Sequence, residues 1–295
     1  TVGVDHPPIN LITMVVFFAV AAEIERLAHD ESVGVVVFRS ANPEWFLAHF
    51  DVQAIQQFPR EQPEPTAIGP YDQMCETLRT MAKPTIAVIA GRVGGGGSEL
   101  ALACDMRFAT PVAIFSQPEV ALGIIPGAGG TVRLPRLVGR SRALEVVLGC
   151  DDVDAATAER WGWVNRVLAT DEIDAFVDRL AGRIASFPPH AVAAAKAIVV
   201  RSETGVEDDL LAESIAFNAT LASDETHDRM QRFLDVGGQT PEGERRLGAL
   251  AAELGDVTIG VRHQSLHVWV SAGRRASRRR RGRRRRSRCP CRRRR

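Results

Sequence analysis

The stretch that decides the fold is "GRVGGGGSELALACDMRFA", residues 91–109. Four consecutive glycines, Gly94 to Gly97, run into a helix-like segment that carries one carboxylate, Glu99. Glycine lets the backbone approach a ligand closely and adopt positive φ. The start of a helix offers unpaired N–H groups and the positive end of a dipole. Together they suit an anion, or an oxygen that becomes negative during a reaction. A phosphate loop of the Walker type would close on Gly-Lys-Ser/Thr, whereas this run closes on Gly97-Ser98-Glu99. A dinucleotide fingerprint would need an open GxGxxG after the first strand, and that does not fit either. An acid just past the donors repels phosphate but suits proton transfer beside a polarised carbonyl. Taken alone, the run also fits a tight strand-to-helix packing turn.

A second stretch, "FSQPEVALGIIPGAGGTVRLPRLVG" (115–139), adds weight. It holds Glu119, 20 residues after Glu99, and the glycines Gly127, Gly129 and Gly130. Glu119 sits between an apolar run and an apolar loop, which is not the setting of a plain solvated charge. Two acids at one oxyanion site form an acid/base pair if the fold brings them together. Otherwise each is a surface or capping acid.

Outward from these stretches, "VGVVVFRS" (33–40) and "TIAVIAG" (85–91) are short β-branched runs that predict buried strands. "MRFAT", "AIFSQPE" and "WVNRVL" predict further strands. Helical periodicity covers residues 10–30, 71–82 (ended by Lys83-Pro84), 141–150 and 154–161, with a short helix Ser98 to Cys104 after the glycines. Residues 41–70 hold five prolines and read mostly as loop with some helix. From Asp171 to about Leu254 the pattern is almost all helix. No internal repeat is apparent. Strands alternating with helices early, and helices alone late, predict an α/β core followed by a helical part.

Composition narrows the class. The chain has 295 residues, 45% hydrophobic and 25% charged, as globular proteins do. The longest apolar run, Leu11 to Ala22, is shorter than the roughly 20 residues that cross a bilayer. It lacks the basic flank and cleavage pattern of a signal peptide. The chain begins at Thr1 rather than Met, so residues are expected to precede it. Five scattered cysteines read as reduced thiols of a cytoplasmic protein. No Cys/His cluster has metal-ligand spacing, and there is no G-x-S-x-G, so neither a metal site nor a serine hydrolase is expected.

The net charge of +1 hides an asymmetry. Residues 274–295 hold 15 arginines and no acid, so the rest has 22 Lys and Arg against 36 Asp and Glu, a balance of −14. An acidic body does not attract nucleic acid through its general field, so any such partner would have to be held by the tail. The tail cannot bury apolar surface and is expected to be disordered. It reads either as an RNA-binding or targeting segment, or as translation in the wrong frame of a GC-rich gene. The second reading fits a chain with 35 arginines and only two lysines, Lys83 and Lys196.

The two quoted stretches together resemble the enoyl-CoA hydratase/isomerase, or crotonase, family, and the likeness runs from about "HPPINLIT" (6–13) to "FLDVGGQT" (233–240). The resemblance implies a spiral of ββα units with a helical C-terminal region that forms trimers, often paired into hexamers. It implies domains of 1–185 for the spiral core and 186–255 for the helical trimerisation region, and composition sets off 256–295 as the tail. It implies that Glu99 and Glu119 are the catalytic pair, and that the N–H groups of Phe50 and Gly96 form the oxyanion hole. Ala48, Asp51, Gly95 and Gly127 would contact the substrate. No cofactor is implied beyond the coenzyme A of an acyl-CoA substrate. The expected reaction is hydration of a 2-enoyl-CoA. A Δ3,Δ2-enoyl-CoA isomerase, or another reaction of the superfamily, is the enzymatic alternative; a catalytically silent CoA-ester- or RNA-binding relative is the other.

The segment that usually reads Ala-Gly-Ala-Asp is here "LAHFDV" (47–52). His49 stands where the family has glycine, and reads either as a tolerated loop residue or as a hydrogen bonder behind the site, the first being preferred. Phe50 replaces alanine and would narrow the acyl pocket. Trp161 and Trp163 are expected in the core or at a subunit contact, Cys104 as packed, and Asp105 as fixing the end of the short helix.

Overall fold

In the computed structural model, which describes residues 1–255, β-branched and aromatic runs form nine strands in two sheets. The strands are β1 (Val2–Val4), β2 (Val36–Ser40), β3 (Trp45–Leu47), β4 (Thr85–Ile89), β5 (Arg92–Gly94), β6 (Met106–Ala109), β7 (Ile114–Ser116), β8 (Val153–Asp154) and β9 (Arg166–Val167). The larger sheet runs β1-β2-β4-β6-β9 and is parallel throughout. The smaller runs β3-β5-β7-β8, with only β7 and β8 antiparallel. Parallel neighbours need crossover connections, and helices supply them. The chain lays a strand in the larger sheet, the next in the smaller, and returns through helix: β2 then β3, β4 then β5, β6 then β7. This is the spiral of ββα units.

The repeat is one of topology, which is why the residues show none. Val36 pairs with Thr85 and Ile86 with Met106, while Trp45 pairs with Arg92 and Gly94 with Ser116. Each turn fills a different part of one core, in which Phe38, Phe46, Leu47, Ile89, Leu100, Phe115 and Trp163 are completely or almost completely buried. Trp163 stacks at a tilt against Phe115, and Trp161 lies half-buried beneath Arg142.

Three elements differ from the sequence reading. Residues 41–70 contain β3 besides the expected loop and a short helix, Val52–Ile55. β3 escapes a pattern search because it is three residues long and buried on both faces, so it shows no alternation. The segment between Leu122 and Arg140 holds a helix, Gly130–Val138, despite Pro135 inside it. The third difference is at the glycines. Arg92–Gly94 is β5, and the helix runs Gly95–Ala103, so Gly95, Gly96 and Gly97 form its first turn instead of preceding it.

That helix is fixed at both ends. Arg107, fully buried, donates to the carbonyls of Cys104 at 2.6 Å and Ala101 at 3.2 Å, meeting the negative end of the helix with a cation. Asp105 accepts from the Thr85 N–H at 2.7 Å and pairs with Lys196 at 2.8 Å, tying the helix end to β4 and to the helix Pro189–Val200. At the other end a Cβ on Gly97 would stand 2.3 Å from the Leu47 carbonyl oxygen and 2.6 Å from that of Ala48.

Among the described residues no helix is long and apolar enough to cross a membrane. Cys75, Cys104 and Cys150 are buried and unpaired. The arginine-rich segment, and any partner it would hold, lies outside the described residues.

Overpacking against fixed backbone costs about 1–3 kcal/mol. Gly97→Ala is therefore expected to lower stability by at least that range in urea unfolding, because the clashing atoms belong to β3. An unchanged midpoint would show that the helix can slide away from the strand.

Candidate functional site

The first turn of the glycine helix brings backbone donors and a carboxylate to one place. The first four N–H groups of a helix have no partner within it. Gly96 lies in that turn, and its N–H donates to no protein acceptor among the described residues. Phe50 is held by a parallel bridge to Ile12: the Ile12 N–H donates to the His49 carbonyl at 3.1 Å, and the Asp51 N–H to the Ile12 carbonyl at 3.0 Å. The Phe50 N–H is left free in the same sense. Its nitrogen lies 3.4 Å from where a Cβ on Gly96 would stand, so the two free donors are neighbours. The hydroxyl of Tyr71, the chain's single tyrosine, donates to the Gly96 carbonyl at 2.8 Å and steadies that turn.

A pocket of about 490 Å³ opens over these donors. Glu99, Glu119, Phe50, Gly96 and Gly127 all line it, and its other walls are mainly apolar and aromatic, among them Phe17, Tyr71 and Phe217. Phe50 meets Tyr71 edge-on with ring centres 6.0 Å apart and Phe58 at 6.2 Å. Gly127 leaves room for Phe217, whose ring lies 2.6 Å from where its Cβ would be. Ala48, Asp51 and Gly95 do not line the pocket. Ala48 packs with Ile9 and Trp45. Asp51 caps the helix Val52–Ile55 by accepting from the Gln53 N–H at 3.0 Å. Gly95, at φ +44°, lies beneath the pocket, with Glu119 Oε1 and the His49 Cβ each 2.7 Å from where its own Cβ would stand. No residue with a side chain fits there in that conformation.

Both glutamates are buried. Glu99 Oε1 accepts from the N–H groups of Ala128 and Gly130, each at 2.9 Å, at the start of the helix Gly130–Val138. Burial raises its pKa, Glu119 raises it further, and the two N–H groups oppose the rise. Burial likewise raises Glu119, against the pull of its own backbone and of His49. Burial and mutual repulsion therefore disfavour ionisation of both at once, an arrangement that suits one acid and one base facing one space. Gln117, fully buried, donates weakly to Glu119 Oε2 at 3.4 Å and lies close to Glu99 across Gly130.

Two further acids belong to the setting. Glu213 binds the same helix start, accepting from the N–H groups of Gly129 and Thr131 and from the Thr131 hydroxyl. Burial raises its pKa, and the charge on Glu99 adds to this. It shares the buried face of the helix Val206–Leu221 with Val206, Leu210 and Leu221, and that helix has no marked amphipathic pattern that would single it out in the sequence. Glu244 pairs with His49 at 2.9 Å, and both are buried. His49 is thus an ion-paired wall residue and not a tolerated loop histidine. No local signal joins residues this far apart in the chain.

Raised carboxyl pKa values carry a stability cost with a definite sign. Above the ordinary pKa of a carboxylate the unfolded chain is ionised while the folded one retains protons, so stability falls as pH rises toward the folded pKa. Glu99→Gln and Glu119→Gln remove that term. Each is expected to gain thermal stability over the parent protein from pH 5 to pH 8; a gain that does not change with pH would contradict the shared-proton arrangement.

Comparison with known proteins identifies relatives over most of the chain. The family described as Enoyl-CoA hydratase/isomerase matches residues 1–239. The crotonyl-CoA hydratase of Syntrophomonas wolfei is 36% identical over 208 residues, covering 70% of this chain and 79% of that protein. The short-chain-enoyl-CoA hydratase of Clostridium acetobutylicum is 32% identical over 213 residues, covering 72% and 81%. A solved structure from Streptomyces avermitilis superposes with a TM-score of 0.78 at 39% identity, covering 86% of this chain and 93% of that one. With both glutamates and both free donors on one pocket, and a family match over most of its length, this chain belongs to the enoyl-CoA hydratase/isomerase family.

Proposed function

We propose that the protein is an enoyl-CoA hydratase, adding water across the 2,3 double bond of a 2-enoyl-CoA to give a 3-hydroxyacyl-CoA. The observation that carries the reading is the pair of buried glutamates facing two unpartnered backbone N–H groups across one apolar pocket. The thioester oxygen sits between the N–H groups of Phe50 and Gly96. Donors of this kind are worth about 3–4 kcal/mol each to the transition state. In the reactive form the shared proton is on Glu119 and Glu99 is the carboxylate, its charge held by the N–H groups of Ala128 and Gly130, and it takes a proton from water as the oxygen bonds to Cβ. The electron pair of the double bond moves to Cα and the thioester oxygen, and Glu119 delivers its proton to Cα. Transfer of the proton from Glu99 back to Glu119 resets the site. An isomerase needs only Glu119, so a second carboxylate in the pocket favours hydration. The reaction needs no cofactor beyond the coenzyme A that the substrate carries.

The reading extends to a cytoplasmic enzyme of fatty acid β-oxidation that works as a homotrimer or hexamer. Support for an oligomer comes from the helix Pro189–Val200, which buries no apolar residue and leaves Ile198 and Val199 about 70% exposed. Exposed apolar surface of this kind marks an interface. Light scattering on the full chain is expected to give the mass of three or six chains; a monomer would remove this part of the reading.

The decisive assay follows loss of the conjugated thioester absorbance of crotonyl-CoA and longer 2-enoyl-CoAs. The parent protein is expected to turn over, with a bell-shaped dependence of kcat on pH. Below the bell both glutamates are protonated and the base is lost; above it both are ionised and the acid is lost. Glu99→Gln and Glu119→Gln are each expected to lower kcat by about 10²–10⁴, the usual worth of a positioned acid or base. Hydration unchanged in both variants would overturn the assignment.

A further inference from the structure

His49 is buried, yet each of its ring nitrogens faces an oxygen that accepts. Nδ1 lies 2.8 Å from the Phe50 carbonyl oxygen and Nε2 lies 2.9 Å from Glu244 Oε1. A carbonyl has no proton to give, so Nδ1 donates. Glu244 Oε1 also accepts from the Gln239 N–H at 2.9 Å, which favours the ionised carboxylate. The ring is therefore an imidazolium between two acceptors, walled on one side by the edge of Phe233 with ring centres 5.6 Å apart.

The place of this cation gives it a role. His49 directly precedes Phe50, whose N–H is one of the two free donors. The Ile12 N–H binds the carbonyl of His49, and the His49 ring binds the carbonyl of Phe50. The peptide unit that carries the donor is held at its own carbonyl, and the unit that follows it is held by the ring. Across Gly95, the His49 Cβ and Glu119 Oε1 lie 2.7 Å from one common point. We propose that the His49–Glu244 ion pair is a positioning device for the reaction: it fixes the Phe50 N–H and sets a permanent positive charge behind Glu119, which makes Glu119 the readier proton donor.

The charges around it are consistent with this. Burial alone would strip the His49 proton, but Glu244, the Phe50 carbonyl and Glu119 hold it up to about pH 9. Burial raises Glu244, and His49, Gln239 and Arg92 bring it below the usual carboxylate range. Glu119 meets His49 on one side and Glu213 on another, and shares its proton with Glu99.

The kinetic arm of the test rests on the hydratase reading; the spectroscopic arm does not. His49→Gln alone strands a buried Glu244 carboxylate and risks unfolding, so the main variant is the double one, His49→Gln with Glu244→Gln, which keeps polar partners and removes both charges. It is expected to leave KM within about twofold, to lower kcat about tenfold, and to move the alkaline limb of the kcat profile up by about one pH unit, since Glu119 then holds its proton more tightly. Glu244→Gln alone is expected to let His49 titrate within the assay range, behaving like the parent at pH 6 and like the double variant at pH 8.5. A folded double variant with the parent's kcat and pH profile would overturn the proposal. So would a loss of kcat with an unmoved alkaline limb, because that marks a merely structural contact. In histidine-labelled full-length protein, nitrogen NMR at pH 8 is expected to show both His49 ring nitrogens protonated in the parent but not in Glu244→Gln. A neutral ring in an active parent sinks the inference and spares the hydratase reading; a protonated ring in a parent without turnover does the reverse.

Discussion

The first turn of the helix Gly95–Ala103 presses against the carbonyls of Leu47 and Ala48, and the site depends on that contact. No side chain could be placed there without parting helix from strand. Because the backbones touch, the N–H of Gly96 comes beside that of Phe50, at the end of the segment that follows β3. One turn further along the same helix, Glu99 enters the pocket. A single steric constraint thus sets the donors and the base together, and Arg107 at the far end keeps the helix from drifting along its axis.

Electrostatics then works against the fold. Three carboxyl groups, Glu99, Glu119 and Glu213, are buried close enough that each raises or is raised by a neighbour. Two of them are held by the N–H groups at the start of the helix Gly130–Val138, the positive end of its dipole. The third, Glu119, has only its own backbone, a weak contact from Gln117 and the charge of His49. Evolution commonly retains such destabilising groups where a reaction requires them.

Much of this was legible in the residues because it depends on local chemistry. A glycine run entering a helix, an acid two residues beyond it, and a second acid before another glycine cluster are local patterns with few structural explanations. The buried strands β2 and β4 announce themselves by β-branched runs. What was hidden is of two kinds. β3, β5 and the glycines' place inside the helix are too short or too unusual in composition for periodicity to register. Glu244, Glu213 and Tyr71 act on the site from other turns of the spiral and from the C-terminal helices, and a one-dimensional pattern carries no record of which distant segments meet. His49 shows the difference: its neighbours in sequence suggest a loop, while its partner in space makes it a buried cation.

The union of His49 with Glu244 spans 195 positions of the chain. On a ribosome making about 5–20 residues per second, roughly 10–40 s pass between the emergence of the two. During that interval β2 to β7 can pair and the glycine helix can dock, because their contacts are already available. The wall behind Phe50 and Glu119 cannot close until the helix Pro241–Glu244 arrives. The nascent protein would therefore acquire its shape well before its chemistry, and the acidic pocket would be left without its nearby cation until synthesis is nearly over.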